Sequence, residues 1–71
     1  MPDQRRFRFY RGQPVKRMRE GRKGIILTFV SVAKGIPGRQ QTVTQAEWDS
    51  HGEWREVQST KMDDLRALVS S

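Results

Sequence analysis

The residues of this chain that can do chemistry fall into two groups of unequal weight. The smaller is Asp49, Ser50, His51 and Glu53, which contains the only histidine. Two carboxylates and an imidazole are donor types for a divalent cation, and Ser50 beside His51 supplies a nucleophile next to a base. Neither arrangement carries through. Ser50 and His51 are adjacent in a DSHG turn pattern, so they cannot face each other as a nucleophile and its general base must. A single histidine in such a pattern reads as an ordinary turn residue. Cysteine is absent, which removes thiolate nucleophiles, disulfides and Cys-ligated zinc together. No P-loop, dinucleotide-binding or zinc-protease spacing occurs. The expectation is a non-catalytic protein with no metal and no cofactor.

The larger group is basic, and it is concentrated at one end. Residues 1–23 hold nine Arg or Lys against Asp3 and Glu20, a charge of +7, whereas residues 24–71 hold five against six acids, a charge of −1. A field of that sign attracts phosphate backbones, acidic proteins or anionic lipid over a long, salt-sensitive range. The competing explanation is solubility, which small domains often secure with a net charge of this size. The candidate phosphate-binding residues are Arg6, Arg8, Arg11, Lys16, Arg17, Arg19, Arg22 and Lys23, expected to form one phosphate-tracking stripe, with Lys34 and Arg39 as extensions. Phe9, Tyr10, Ile36, Trp48 and Trp54 are candidates for stacking or partner contact. Core packing is the commoner role for either tryptophan. Phosphate contacts position a protein without specifying a base sequence, so no sequence readout is expected.

These residues need a scaffold, and the stretch Gly21–Ala33, GRKGIILTFVSVA, is its centre. Ile25, Leu27 and Phe29 point one way in a strand, and Ile26, Thr28, Val30 and Val32 the other, so both faces demand cover. In front of it, Arg6, Arg8 and Tyr10 alternate with Phe7 and Phe9, which predicts a strand over 6–10, preferably at a sheet edge where arginines deter promiscuous pairing. A flexible basic tail that orders on nucleic acid is the alternative there. QPVKRMRE predicts a short strand in which Val15 and Met18 do not share parity, so the strand bends or only one of them is buried. Arg17 and Arg19 project the same way from it, and Arg22 and Lys23 crown the following turn.

Further along, KGIPGRQQ reads as a loop with Ile36 as a cap or contact residue. TVTQAEW supports a strand through the β-forming Thr42–Thr44, or a helix capped by Thr44 with Glu47 completing a capping box; the strand is preferred. EWREVQ then returns as the second strand of a hairpin turned at DSHG. Met62, Leu65, Leu68 and Val69 form a helical stripe behind an N-cap pair, Thr60 and Asp63, predicting a short helix over 61–69. The organisation expected is a single domain over 1–71, disordered over 1–5, with strands within 6–58. A chain of 71 residues buries only a small core. No apolar run approaches the roughly 20 residues of a membrane span, and no signal-peptide pattern follows the basic N-terminus, so a cytoplasmic protein without a membrane partner is expected.

The order GQPVKRM, a basic turn with GIILTFVSV, and VTQAEWDSHGEWREVQSTKMDDLRAL resembles SH3-like small barrels of the KOW and Tudor kind, over residues 12–68. That resemblance implies a mainly β fold, a strongly bent five-stranded barrel, here with a short C-terminal helix and with ligand-binding loops at one end. It implies no single function, because such barrels bind RNA, DNA, protein tails or one another. The chain departs from the pattern in its glycine spacing around the second strand and in its longer C-terminal stripe. A Tudor-type aromatic cage would need Trp48, Trp54 and Tyr10 to converge. A fainter similarity, through RKGI at 22–25 and a later Trp, is to the single-stranded-DNA-binding transcriptional coactivator fold of four strands and a helix.

The functional expectation is a small basic nucleic-acid-binding protein, an accessory to transcription or replication, with DNA or RNA as its partner. The alternative is an interaction module that regulates or assembles with a larger complex, docking on an acidic protein surface through Ile36 and an exposed Trp. A homo-oligomer whose basic patches line a pore or groove is a third reading.

Overall fold

The computed structural model describes residues 5–57 and 62–70. In chain order the elements are β1 (Arg5–Tyr10), β2 (Gln13–Gly21), β3 (Gly24–Phe29), β4 (Gln40–Val43), α1 (Gln45–His51), β5 (Gly52–Val57) and α2 (Met62–Ser70). The five strands form one antiparallel sheet in the order β4-β3-β2-β1-β5. β4 and β5 are its two edges and do not pair with each other.

The sheet is therefore open, and the SH3-like barrel expected from the resemblance is not formed. The physical reason lies between β4 and β5. Closure would need the chain after Val43 to continue as a strand that bends round the barrel, and it turns into α1 instead. Thr44 is the N-cap, in extended backbone, with its hydroxyl accepting from the Glu47 N–H at 3.1 Å. The Gly52 N–H closes the last turn on the Trp48 carbonyl. The β-propensity of Thr42–Thr44 holds only as far as Val43, so the expected strand and its DSHG hairpin give way to a two-turn helix. β5 does form, but it pairs along its whole length with β1, from Arg5↔Val57 to Tyr10↔Gly52.

That pairing also corrects the place of β1, which lies between β2 and β5 and is interior rather than an edge. It leaves Arg11 and Gly12 as a two-residue turn into β2, both with positive φ, 49° and 79°. This is the backbone of the hairpin turns that match the right-handed twist of their strands. The β2–β3 turn holds Arg22 and Lys23 between the paired Gly21 and Gly24. Gly24 has φ 144°, and a Cβ there would stand 2.5 Å from the Val43 carbonyl oxygen, so β4 can approach only a glycine.

Alternation along the strands divides the core in two. On one sheet face Tyr10, Val15, Ile25, Leu27, Phe29 and Val43 are buried, with Met18 and Trp48 of α1 packed on them. On the other, Phe9, Val30 and Leu65 of α2 are buried, with Phe7 and Val57 against them. Val15 and Met18 share the first face despite their sequence spacing because a β-bulge falls between Val15 and Arg17. Lys16 is the extra residue, and it resets the parity of everything after it. The helix expected over 61–69 is α2; of the tail expected to be disordered over 1–5, Arg5 begins β1 opposite Val57, while residues 1–4, Lys61 and the proposed Thr60 cap lie outside the described residues.

If the two faces are covered as unequally as this, neighbouring residues of β3 should respond differently to truncation. Leu27→Ala, at a site with 0% exposure, is expected to cost about 2–5 kcal/mol in urea unfolding. Ile26→Ala, which belongs to neither cluster, should cost less than half as much. Equal losses at the two positions would show that the second face is covered at Ile26.

Candidate functional site

Strand register decides which basic residues come together. Arg6 and Arg8 point to the face that carries α1, because Tyr10 on the same parity is buried there. Arg17 and Arg19 pair with Thr28 and Ile26, on the opposite face, where Val30 meets α2. Arg11 and the pair Arg22 and Lys23 sit at opposite ends of β2, about 30 Å apart for a nine-residue strand at 3.4 Å per residue. The eight candidates are thus not one stripe but two patches on two faces, with Arg11 apart from both.

The first patch is carried by the β2–β3 hairpin. Arg17 and Arg19 stand about 7 Å apart along the strand, and Arg22 and Lys23 continue the line at the turn. All four are exposed, and none forms an ion pair among the described residues, where the salt bridges are Arg55–Glu53 and Arg66–Asp63. Beside the two arginines, β3 and β4 place Thr28, Gln40 and Thr42 on the same face in register, Ile26↔Thr42 and Thr28↔Gln40. These three polar side chains were not singled out from the sequence. The parity of GIILTF contained the signal for Thr28, but the neighbours from β4 required the sheet order. Lys16, at the bulge, lines a groove of about 300 Å³ with Ser31, Gly35, Pro37 and Arg66, at the α2 end of the same face.

The second patch belongs to β1 and β5. Trp54 lies directly opposite Arg8, and Glu56 opposite Arg6. The guanidinium carbons of Arg6 and Arg8 stand 5.1 and 5.4 Å from the centroid of the Trp54 ring, within cation–π range. Trp54 remains 49% exposed.

The remaining aromatic candidates serve the fold. Phe9 and Tyr10 are each 2% exposed and offer no ring face to a ligand. Tyr10 is the seat of α1. Its ring is stacked with Trp48 at 6.4 Å and 12°, meets the His51 ring edge-on at 6.1 Å, and its hydroxyl donates to Glu47 Oε2 at 3.4 Å. Trp48 and Tyr10 are thus core partners, and Trp54 does not converge with them into a cage. Arg11 lies over the Tyr10 ring at 5.8 Å, and its N–H donates to the His51 carbonyl at 3.1 Å, closing the end of α1. Arg39 is likewise engaged, over the Phe29 ring at 5.2 Å with a guanidinium N–H donated to Gln13 Oε1. Lys34 is exposed in the 30–39 loop, away from the hairpin tip. Ile36, 55% exposed, lines a groove with Pro14, Phe29, Val32 and Val69. His51 ends α1 rather than standing in a turn, and no cluster of three or more His, Asp or Glu side chains suited to a metal occurs among the described residues. No helix among them is long and apolar enough to cross a membrane.

The two guanidinium groups over Trp54 set an optical expectation. In a Trp48→Phe background, replacing Arg6 and Arg8 by Ala should shift Trp54 emission to the red and raise its quenching by acrylamide, at a stability cost of no more than about 1–2 kcal/mol. Unchanged emission and quenching would show that the arginines do not shield the ring in solution. No protein-family model matches this chain, and no curated protein and no solved structure matches it, so its fold and its two cationic patches stand on their own geometry.

Proposed function

We propose that this protein is a small, non-catalytic nucleic-acid-binding accessory protein, cytoplasmic, that holds a phosphate backbone on the β2–β3 hairpin. The observation that carries this reading is the unneutralised line Arg17, Arg19, Arg22 and Lys23 on an exposed sheet face, flanked by Thr28, Gln40 and Thr42. Cations at strand spacing on a hairpin follow a polyanion with little ordering cost, since Arg17 and Arg19 are fixed by pairing with β3, which β4 holds on its other side, and Arg22 and Lys23 by the turn that Gly21 and Gly24 close. Thr and Gln side chains add hydrogen bonds to phosphate or sugar oxygens. Nothing in this arrangement reads a base sequence, so binding should be general and governed by salt.

A second reading has its own support. Val32 and Ile36 are exposed beside an apolar groove of about 300 Å³, which suits a protein partner. The two readings part under one titration. With fluorescent oligonucleotides at about 50 and about 200 mM salt, the nucleic-acid reading expects binding that weakens as salt rises. Each phosphate that a cation neutralises adds about 0.7–0.9 to the salt slope, so the quadruple variant Arg17→Gln, Arg19→Gln, Arg22→Gln, Lys23→Gln should lower that slope by about 3. Lys34→Gln should change affinity less than about twofold. Absence of binding by the folded wild type at the lower salt, or an unchanged slope in the quadruple variant, would sink the reading and favour the interaction module.

A further inference from the structure

We propose that Trp54, with Arg6 and Arg8, is a stacking site for an unpaired nucleobase, so that the chain prefers single strands to duplexes. This inference rests on the nucleic-acid reading above and deepens it by naming the class of strand. Among the Phe, Tyr and Trp rings of the described residues, Trp54 is the one that the fold leaves exposed; Phe9, Tyr10 and Phe29 are buried, and Phe7 and Trp48 are half-buried against the two clusters.

Its exposure follows from how far α1 reaches. The helix covers its sheet face at the Tyr10 and Gly52 end, where the Trp48 ring fills the space a Cβ on Gly52 would need. Trp54 lies two residues further along β5, beyond that cover. β5 is an edge strand, so the ring is also open on the side away from β1.

The surroundings select an anionic, flat ligand. Neither Arg6 nor Arg8 forms an ion pair among the described residues, so both remain available to phosphates flanking a base on Trp54. A cation–π contact at an exposed ring is a weak competitor to base stacking, so the guanidinium groups can yield the ring face and turn to phosphate at little cost. Glu56, opposite Arg6 in register, is the one opposing charge on that face of β5. It repels a backbone and limits affinity without blocking the ring. A duplex keeps its bases stacked inside and presents no face to Trp54, whereas an unpaired base does.

The two patches lie on opposite faces of the sheet, so their contributions separate. The experiment measures affinities for a fluorescent dT12, a U12 and a 12-base-pair duplex at fixed low salt. Fluorescence of Trp54 is followed in the Trp48→Phe background, and folding of each variant is checked by circular dichroism. The expected result is tighter binding of the single strands, with quenching of Trp54 on binding. Trp54→Ala should weaken single-strand binding about tenfold and duplex binding less than twofold. Trp54→Phe should retain most of the single-strand affinity, and Glu56→Gln should raise it two- to threefold. A preference between dT12 and U12 tells DNA from RNA, and either supports the proposal. If wild type binds single strands and duplex and Trp54→Ala weakens both alike, or neither, this proposal fails while the hairpin reading stands. If wild type binds none of the three, both fail together.

Discussion

Strand β1 has to serve two cores at once, and the rest of the fold depends on its doing so. In six residues it delivers Phe7 and Phe9 to the cluster under α2, and Tyr10 to the cluster under α1. It pairs with β5 along its whole length and with β2 from Arg8 to Tyr10, while its side chains hold both layers. An open sheet of five strands exposes two faces, each of which must be covered at least in part. With two short helices available, cover is centred where β1 offers aromatics. Tyr10 shows the linkage in one side chain. Stacking with Trp48, an edge contact with His51 and a hydrogen bond to Glu47 seat a helix whose own seven residues include none that is buried. A helix that short is not stable alone, so its existence is a property of the Tyr10 contact more than of its sequence.

The second constraint is the bulge at Lys16. Without an extra residue there, Val15 and Met18 would face opposite sides of the sheet, and Arg17 would share a face with Val15's neighbours in the core. One additional residue returns Met18 to the α1-side cluster and sends Arg17 and Arg19 to the other face. Bulges commonly re-aim side chains in this way, and here the same device serves packing and places charge. The arrangement leaves both faces half covered, and those uncovered halves are where the exposed arginines stand.

Much of this was legible from residue order, and the rest was not for definable reasons. The alternation of Phe7 and Phe9 against Arg6, Arg8 and Tyr10, the two-sided strand around Ile25–Phe29, and the common direction of Arg17 and Arg19 are period-two signals that a strand must obey wherever it sits in a sheet. The α2 stripe is the corresponding helical signal. The parity conflict of Val15 and Met18 was visible too, although only the structure shows it resolved by a bulge. Thr44 and Glu47 carried a helix cap beside a β-forming run, and both signals are expressed, one ending at Val43 and the other beginning at Gln45. What residue order could not supply was which strand lies beside which. Placing β1 at an edge, closing the sheet into a barrel and joining eight basic residues into one stripe all assumed a strand order, and that order is set by where β5 returns after α1. Trp54 beside Arg8 is a consequence of the same return, from far along the sequence.

Charge placement on the uncovered faces separates a structural explanation from a functional one. A sheet face left in water needs only polar residues to stay soluble, and threonine, glutamine or a balanced mixture of signs would meet that need, as Gln40 and Thr42 do on β4. Residues 1–23 instead carry nine cations against two acids. The ion pairs among the described residues are made by Arg55 and Arg66, outside that segment. Unpaired like charge destabilises a compact state through self-repulsion, and a small domain has little stability to lose. An arrangement shaped by folding alone would set an acid across from Arg17 at Thr28, or one strand further out at Gln40 and Thr42. Those positions are polar and neutral. Self-repulsion on the hairpin is therefore not relieved within the fold, and that is the physical ground for proposing a phosphate backbone as its ligand.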